Sequence, residues 1–508
     1  MIRWFALLVV NFALPTTALT QDSSLASSPR RSVGLSLAEA LEQARKNSPG
    51  YRQTLNDASP ARWGVRNAYG NLLPSVVASS DFGYTGSGQS NFGGGFTRPT
   101  SAFLTSGYSL GLEWQLSGRT LHAPRQQRAL QRAVDETIGA AGIGLTAEIS
   151  TQYLTSLQAR AQVAVAHQQV RRNQDFLALA RARHQVGQAT LLDVRQAEVT
   201  KGASDVALLR AVQTENEAKL DLLRRMGIEP PAPIDQILLS DSFPVTPPQF
   251  QLDSLLALSD RQNPLLRSLR AREHAAGLDV GAAKTDFLPS LSLRAGWSGF
   301  TQQFTNQNVL LGQTLAEAQA QATDCEYNNA VRTGLSLGGQ TSNCFAASGL
   351  ADGGMALLDP VAQQIRNQNS VFPFSYTGQP FGANLTISLP IFTGFSRSLR
   401  LSQARAEEDD AEEEVRARRL QVRTDVHSRF LALQTAFQAI GVQGTSREAA
   451  QDQLRLAQDR YRLGAGTALE VSDAQNAVQQ AEGDYVNAVY DYHKAIAALE
   501  AAVGRPLR

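Results

Sequence analysis

An internal duplication constrains the fold of this chain more than any other feature of its sequence. Each copy carries three landmarks: a Pro that closes a helical pattern, a Leu-Pro-Ser whose Pro lies 25 residues further on, and a Gly-x-x-Thr turn. The landmarks stand at Pro49, Pro74 and Gly187 in the first copy and at Pro264, Pro289 and Gly464 in the second. Because all three recur in the same order, one structural unit is written twice.

The offset between the copies grows from 215 residues at the first landmark to 277 at the third, so the second copy carries an insertion of 62 residues. We assign residues 33–227 to the first repeat and 252–508 to the second. A Pro-rich connector, residues 228–251, joins the two repeats. The insertion is placed near residues 300–376, where the sequence is polar and rich in Gly, Asn and Gln.

The N-terminus has the pattern of an export signal, which we assign to residues 1–20. Arg3 precedes an apolar core, residues 5–14, that is too short to cross a bilayer as a helix. A buried N-terminal helix is the alternative. Later in the chain, no stretch of about 18 residues is both apolar and uncharged. An exported protein of this kind is periplasmic, secreted, or an outer-membrane β-barrel.

Four stretches alternate between apolar and polar residues: 76–84, 108–116, 290–297 and 384–391. Alternation over about 9–11 residues is what a membrane-spanning barrel strand needs, with one face toward lipid and one toward a wet lumen. A half-buried soluble sheet shares this pattern. Four strands are too few to close a membrane barrel, and an open edge in lipid costs several kcal/mol for each unpaired backbone group. Membrane strands would therefore require a dimer with eight strands or a trimer with twelve.

A long helical run follows each strand pair, at residues 126–186 and 397–463, and each run returns through a shorter one, at 191–226 and 468–503. At about 1.5 Å per residue the long runs extend roughly 90–100 Å. Their apolar stripes are thin, which is typical of helices packed as coiled-coil neighbours. Antiparallel helices of this length predict a tube wall or a stalk.

The turns between these helices have specific chemistry. A glycine suits a left-handed position after each long helix, a threonine suits the N-cap of each return helix, and an acid three residues later suits a capping box. The residues are Gly187, Thr190 and Asp193 in the first turn and Gly464, Thr467 and Glu470 in the second. A capping box by itself explains these threonines and acids.

No catalytic pattern emerges, so we expect no enzyme, no cofactor and no metal site. The six histidines show no ligand spacing with Cys or acids, and there is no phosphate-binding Gly motif. The balance of 47 Lys and Arg against 46 Asp and Glu leaves no excess of positive charge that would suggest nucleic-acid binding. Cys325 and Cys344 lie in one polar segment, where a disulfide or two free thiols are both possible.

Taken together, the sequence resembles the TolC-type outer-membrane factors over nearly its whole length. The tandem halves, the two Leu-Pro-Ser motifs, LPIFTGF at residues 389–395, and the turns VGQATLLDV and LGAGTALEV carry the resemblance. It implies a mainly α fold with a membrane β-barrel portion. A trimeric twelve-strand barrel, with four strands from each protomer, would stand on a long α-helical periplasmic tunnel. The connector would join an equatorial belt, and the insertion would be a long loop that faces outside the cell. We expect Cys325 and Cys344 to staple this loop, which is an addition to the family pattern.

The resemblance also implies roles for residues at the helix turns. Asp193, Tyr461, Glu470 and Asp473 would form the periplasmic aperture, with the last two as carboxylate rings facing the bore. The tips that contact an adaptor protein would include Gly187, Thr190, Leu191, Gly464, Thr467 and Ala468. One position departs from the family pattern, because Gly466 stands where an arginine is usual. The arginine latch of the family therefore cannot be transferred to this chain.

The function implied is that of an outer-membrane channel in a Gram-negative tripartite efflux pump. A homotrimer embedded in outer-membrane lipid would receive small molecules from an inner-membrane transporter through a periplasmic adaptor. A type I protein secretion system would use the same kind of duct, and a periplasmic coiled-coil scaffold without a channel is the alternative from another class.

Overall fold

The computed structural model of the protein describes residues 33–92, 96–230, 234–335, 337 and 341–507. The predicted signal peptide, residues 1–20, lies outside the described residues.

The first repeat contains short helices, a strand pair and a pair of long helices. Its elements are β1 (Val33–Leu35), α1 (Leu37–Asn47), α2 (Pro49–Asn56), α3 (Ala58–Gly70), β2 (Ser75–Thr85), β3 (Gly88–Phe92), β4 (Phe96–Thr100), β5 (Phe103–Leu116), α4 (Gly118–Gln185) and α5 (Leu191–Met226).

The connector holds a short 3₁₀ helix, Ile234–Gln236, and strand β6 (Ile237–Leu239), which pairs in parallel with β1. The second repeat then follows the order of the first. Its elements are α6 (Leu252–Gln262), α7 (Pro264–Thr285), β7 (Ser290–Phe304), α8 (Asn308–Gly334), α9 (Cys344–Ala347), α10 (Asp359–Gln368), β8 (Thr377–Gly378), β9 (Gly382–Ser388), α11 (Ser396–Arg462) and α12 (Ala468–Val503).

The chain forms two compact units, which draw residues from both repeats. Of the described residues, those within 33–48, 146–248 and 433–497 make up one unit, and those within 49–145, 249–432 and 498–507 make up the other. In the first unit the interior consists of small and aliphatic side chains and the rings of Phe176 and Tyr461, contributed by α4, α5, α11 and α12. Leu177, Ala180 and Leu454 lie at helical spacing on the long helices and belong to this interior, as expected for helices whose thin apolar stripes pack edge to edge.

The main sheet lies in the second unit and has the antiparallel order β2-β5-β7-β9. On one face, Leu110 lies opposite Trp297 and Trp114 lies opposite Leu293. The other face is mostly polar or small, and its apolar exceptions are Val77 on β2 and three phenylalanines at the start of β5 and the end of β7. On this face Glu113 lies opposite Arg294, with 3.5 Å between the carboxylate and the guanidinium. The predicted alternation is therefore a real separation of two faces. For brevity we call them the apolar face and the polar face.

Several predicted boundaries were wrong. Strand β5 begins at Phe103, not at residue 108, and β7 continues to Phe304, not 297, because the two strands pair along this whole length. The first long helix begins at Gly118, not at residue 126, because Ser117 and Thr120 exchange side-chain and backbone hydrogen bonds that start it, and Pro124 is accommodated within the helix. The last strand ends at Ser388 instead of 391, as Pro390 has no N–H to continue the ladder. The return helices, α5 and α12, have the predicted bounds.

The insertion is helical rather than an irregular loop, since α8, α9 and α10 all lie between β7 and β9. The α8 sequence is rich in Ala, Gln and Leu, which favour helix. Ala318, Ala322 and Leu350 form a small core between these pieces. Cys325 and Cys344 are joined in a disulfide that links α8 to α9, so the predicted bridge is confirmed. Among the described residues, no helix has the length and apolar character needed to cross a membrane.

Candidate functional site: the paired helix turns

The first turn, residues 186–190, connects α4 to α5 through a left-handed glycine. Gly187 has φ +75°, and the N–H of Gln188 donates to the carbonyl of Arg183 at 2.8 Å, which closes the end of α4. The Thr190 hydroxyl accepts from the Asp193 N–H at 3.2 Å, and the Asp193 carboxylate accepts from the Thr190 N–H at 2.8 Å. The predicted capping box is therefore complete in this turn.

The second turn, residues 463–467, connects α11 to α12 with the same backbone. Gly464 has φ +79°, and the N–H of Ala465 donates to the carbonyl of Arg460 at 2.9 Å. The Thr467 hydroxyl accepts from the Glu470 N–H at 3.2 Å, as predicted. The Glu470 carboxylate, however, lies 3.7 Å from the Arg460 guanidinium, and no bond from the Thr467 N–H to it occurs in this part of the structure. The prediction of a full capping box was wrong here, because the longer Glu side chain reaches an arginine instead.

Arg183 connects the two turns. Its guanidinium donates to the Tyr461 carbonyl and, at 3.3 Å, to the Gln188 carbonyl of its own turn. The same group lies 4.6 Å from the centre of the Tyr461 ring, a cation–π distance. Arg460, its equivalent in the second repeat, also bonds to a carbonyl of its own turn, that of Ala465 at 3.2 Å. Of these two arginines, Arg183 is the one that contacts a residue of the other repeat.

Tyr461 lies inside the helix packing. Its ring is buried and packs against Phe176 at 5.4 Å between centroids, within the apolar core of the first unit. Its hydroxyl is buried without a hydrogen-bond partner among the described protein atoms. Burial raises the pKa of the Tyr461 hydroxyl; the nearby Asp193 carboxylate raises it further, and Arg183 partly opposes this effect.

The predicted aperture acids occupy different surroundings. Asp193 is held in its capping box, and Glu470 faces Arg460. Asp473, one helical turn after Glu470, is exposed, and its carboxylate has no ion-pair partner among the described side chains. Because residues three apart share one helix face, Glu470 and Asp473 present two carboxylates side by side.

Gly466 is closely surrounded. A Cβ atom at this position would lie 3.1 Å from Arg460 Cβ, 3.1 Å from Glu470 Oε2 and 3.2 Å from the Tyr461 nitrogen. A larger residue would have to displace these atoms, so the turn is built around a glycine rather than merely lacking an arginine.

The outer surfaces of both turns carry exposed apolar side chains. The predicted tip residues Gly187, Thr190, Leu191, Gly464 and Thr467 are exposed, whereas Ala468 is buried under the second turn. Sequence reasoning missed four further exposed residues, Val186, Leu192, Leu463 and Leu469. Their signal was available, since an apolar residue next to a turn glycine at the end of a polar helix has no core to enter. Isolated apolar residues are ordinary, but this group is concentrated at two adjacent turns.

Within the described part of the chain, no group of three or more His, Cys, Asp or Glu side chains is arranged to hold a metal ion. The chemistry of the turns is that of caps, charges and packing.

Comparison with known proteins agrees with this architecture. The sequence model of the family described as "Outer membrane efflux protein" matches residues 40–227 and 361–505, which is about two thirds of the chain and includes both turns. The break between the two matched segments contains the connector and most of the insertion.

Two relatives of this chain carry efflux or outer-membrane names. The outer membrane protein OprJ of Pseudomonas aeruginosa is 27% identical over 273 residues, which cover 51% of this chain and 54% of OprJ. The cation efflux system protein CusC of Escherichia coli K12 is 27% identical over 260 residues, again 51% of this chain and 54% of the relative. The chain thus spans about half the length of these relatives.

Similarity of structure is more extensive than similarity of sequence. The outer membrane protein VceC of Vibrio cholerae superimposes with a TM-score of 0.65 at 18% identity, covering 93% of this chain and 97% of VceC. The chain therefore has the fold of that protein.

Proposed function

This chain belongs to the outer membrane efflux protein family, and on that premise we propose that it is the outer-membrane channel of a tripartite efflux pump. Three copies would close one twelve-strand barrel in the outer membrane, and their long helices would form a tunnel in the periplasm. An inner-membrane transporter, joined to the tunnel by a periplasmic adaptor, would supply the cargo and the energy.

The observation that carries this proposal is the incomplete sheet. Strand β2 pairs with β5 alone and β9 pairs with β7 and no other described strand, so each has one unpaired side. The apolar face carries exposed residues such as Leu110, Trp297, Leu385 and Ile387. An open, apolar sheet is unfavourable in water, and its edges are unfavourable in lipid. Lipid would cover the apolar face, and pairing β9 of one copy with β2 of the next would satisfy the open edges.

The paired turns would be the periplasmic aperture and the adaptor contact. Their exposed apolar residues suit a protein partner, and Glu470 with Asp473 would give a narrow mouth six carboxylates in a trimer. Such a ring favours cations. The relative CusC is named as part of a cation efflux system, which supports small species rather than polypeptides as cargo.

Conductance of the purified protein in planar bilayers tests the channel. We expect stable pores with a preference for cations, and absence of pores would overturn the proposal. Carbonate extraction of membranes provides a second test, since a periplasmic scaffold would be released and a barrel would be retained.

The double variant Glu470→Gln, Asp473→Asn tests the carboxylate ring separately. We expect pores of similar frequency with reduced cation preference. Glu42→Gln is the matched control, because Glu42 is an exposed carboxylate of the same unit that lies on α1, away from both turns. Unchanged selectivity in the double variant would remove the ring and leave the channel.

A further inference from the structure

The end of the insertion lies on the wall of the sheet. Residues 371–381, which we call the strap, lead from α10 toward β9 and include β8. Just before the strap, the Asn369 side chain bonds to both the N–H and the carbonyl of Phe304, each at 2.9 Å. Within it, the Phe372 N–H donates to the Gln303 side chain at 3.0 Å, and the Pro373 carbonyl accepts from the Ser106 hydroxyl at 2.5 Å. The strap is thus fixed to β5 and β7 by specific hydrogen bonds.

The register shows which face it covers. Ser106 lies opposite Thr301, and both residues have the same parity along their strands as Leu110 and Trp297. The first part of the strap, residues 371–376, therefore packs on the apolar face, and β8 then pairs with the edge of β7 at Gly299 and Phe300. Aromatic contacts agree, because Tyr376 packs on Tyr108 at 4.9 Å and both Phe372 and Phe374 pack on Phe82 at 6.4 Å.

The apolar face changes character where the strap begins. On β5 it is apolar from Leu116 back to Tyr108 and is then interrupted by Ser106, while on β7 it becomes polar at Thr301 and Gln303. The roughly nine residues from Leu116 to Tyr108 extend about 30 Å along the strand, or about 23 Å across a membrane at the usual barrel tilt. That length matches the apolar band of about 25 Å in outer-membrane barrels. Beyond it, the hydroxyls of Ser106 and Thr301 bond to each other at 2.7 Å and are 1% and 2% exposed beneath the strap.

The outward side of the strap is aromatic and carries no charge. Its eleven residues, VFPFSYTGQPF, contain no Asp, Glu, Lys or Arg. Phe374 and Phe381 are 71% and 54% exposed, and Phe381 packs at 4.8 Å on Trp297, which is itself 53% exposed. Aromatic rings next to an apolar band are characteristic of the membrane–water interface.

We propose that the strap is a lipid-binding collar, in which Phe374, Phe381 and Trp297 lie at the interface of the outer leaflet. This rests on the proposed function, because it requires the strands to span the outer membrane. The insertion then has a role in the wall of the barrel: it seals hydroxyl groups that lipid would otherwise meet and sets the outer limit of the membrane band. The continuity of the exposed rings with the lipid-facing strand residues identifies lipid as the occupant.

Spin labels test the collar in the full-length protein reconstituted in phosphatidylcholine vesicles. Single cysteines replace Phe374 or Phe381, and the native cysteines remain bonded in their disulfide. Each nitroxide is probed with oxygen, which partitions into lipid, and with a water-soluble nickel chelate. We expect an oxygen-to-nickel accessibility ratio several-fold higher at both positions than at Met355→Cys, an exposed site elsewhere in the insertion.

A third label separates the two proposals. Leu385→Cys lies on the apolar face of β9, in the middle of the sheet wall, and should be the most oxygen-accessible of all. If Leu385 reads as lipid-exposed while both strap labels match Met355, the collar is wrong and the barrel stands. If Leu385 itself reads as water-exposed, the barrel is wrong and the collar falls with it.

Discussion

The two helix turns share one backbone but make different contacts. Both have a left-handed glycine, a closing bond to an arginine carbonyl, and a threonine N-cap. In the first turn the acid completes a capping box and the arginine reaches the other repeat. In the second turn the acid pairs with the arginine of its own turn. The two repeats have therefore kept the same turn backbone, whereas the arginine and the acid of each turn make different contacts.

This difference means that the contact between the two turns is made by the arginine of the first turn, Arg183, with Tyr461 beside the second. Arg183 contacts the backbone and ring of Tyr461, whereas Arg460 contacts only residues 465 and 470 of its own hairpin by hydrogen bond or ion pair. If the turns separate when the aperture opens, Arg183 has to release Tyr461. Four predictions test the comparison.

The largest effect is expected from the arginines. Arg183→Met should reduce the local stability of the second turn by about 2–4 kcal/mol, because it removes a charged hydrogen bond and a cation–π contact. Arg460→Met, which loses an exposed ion pair and an exposed hydrogen bond to the Ala465 carbonyl, should cost about 1 kcal/mol. Amide hydrogen exchange of residues 460–471 measures both. Equal exchange in the two variants would show that the arginines are equivalent.

The glycines should behave alike. Gly187→Ala and Gly464→Ala each place a side chain in the left-handed region and should each cost about 1–2 kcal/mol of local stability. Gly202→Ala is the control, because Gly202 lies within α5 with open space around it and has no positive φ, and this change should be neutral or stabilising. Amide hydrogen exchange at the two turns would distinguish the costly Gly187 and Gly464 variants from the neutral Gly202 variant. A clearly unequal cost for Gly187 and Gly464 would mean that the backbones are not equivalent.

The N-caps should differ modestly. Thr190→Ala removes a hydroxyl that accepts from the Asp193 N–H and donates to the Asp193 carboxylate, and should cost about 1–1.5 kcal/mol. Thr467→Ala removes a hydroxyl with a single such bond, from the Glu470 N–H, and should cost about 0.5–1 kcal/mol. Exchange rates of the first amides of α5 and α12 report the two costs. The prediction fails if Thr467→Ala proves the more damaging of the two.

The smallest effect concerns pH. The pKa of Tyr461 is raised above its ordinary value of 10.0, mainly by burial, so the folded state holds this proton more tightly than the unfolded state. The resulting stabilisation is complete below pH 10 and declines as the pH rises through the folded pKa. Tyr461→Phe should remove this part of the alkaline loss and leave neutral stability unchanged or slightly higher, because the buried hydroxyl has no described partner. Thermal midpoints of both proteins between pH 8 and pH 11 provide the measurement.

Features set by residues close together in the sequence could be predicted, and features set by distant residues could not. The turn glycines, the threonine caps and the bounds of α5 and α12 follow from residues a few positions apart, and these predictions were confirmed. The pairing of Arg183 with Tyr461 joins residues 278 apart in the chain, so no local pattern encodes it. The second capping box is incomplete because the Glu470 carboxylate lies near Arg460, and this contact could not be predicted from the spacing of Thr467 and Glu470. The roles of Asp193, Glu470 and Asp473 in an aperture stay predictions, since they concern neighbouring copies.

The insertion illustrates the same limit. Its polar composition suggested a loop, yet helix-favouring residues in α8 and a disulfide made a small folded body. The strap could not be read from the sequence, because a short aromatic segment without charges gives no indication of the face on which it will pack.

The lengths of the strands have a mechanical consequence. Within one chain, β5 is joined to β7 along its full 14 residues, but β9 has only 7 residues with which to grip a neighbouring copy. In a closed ring, the joint between subunits is therefore at most seven residue pairs long, as short as the β7–β9 joint inside a chain. A ring under strain would open first at one of these two joints on either side of β9, while the longer β2–β5 and β5–β7 joints stayed paired.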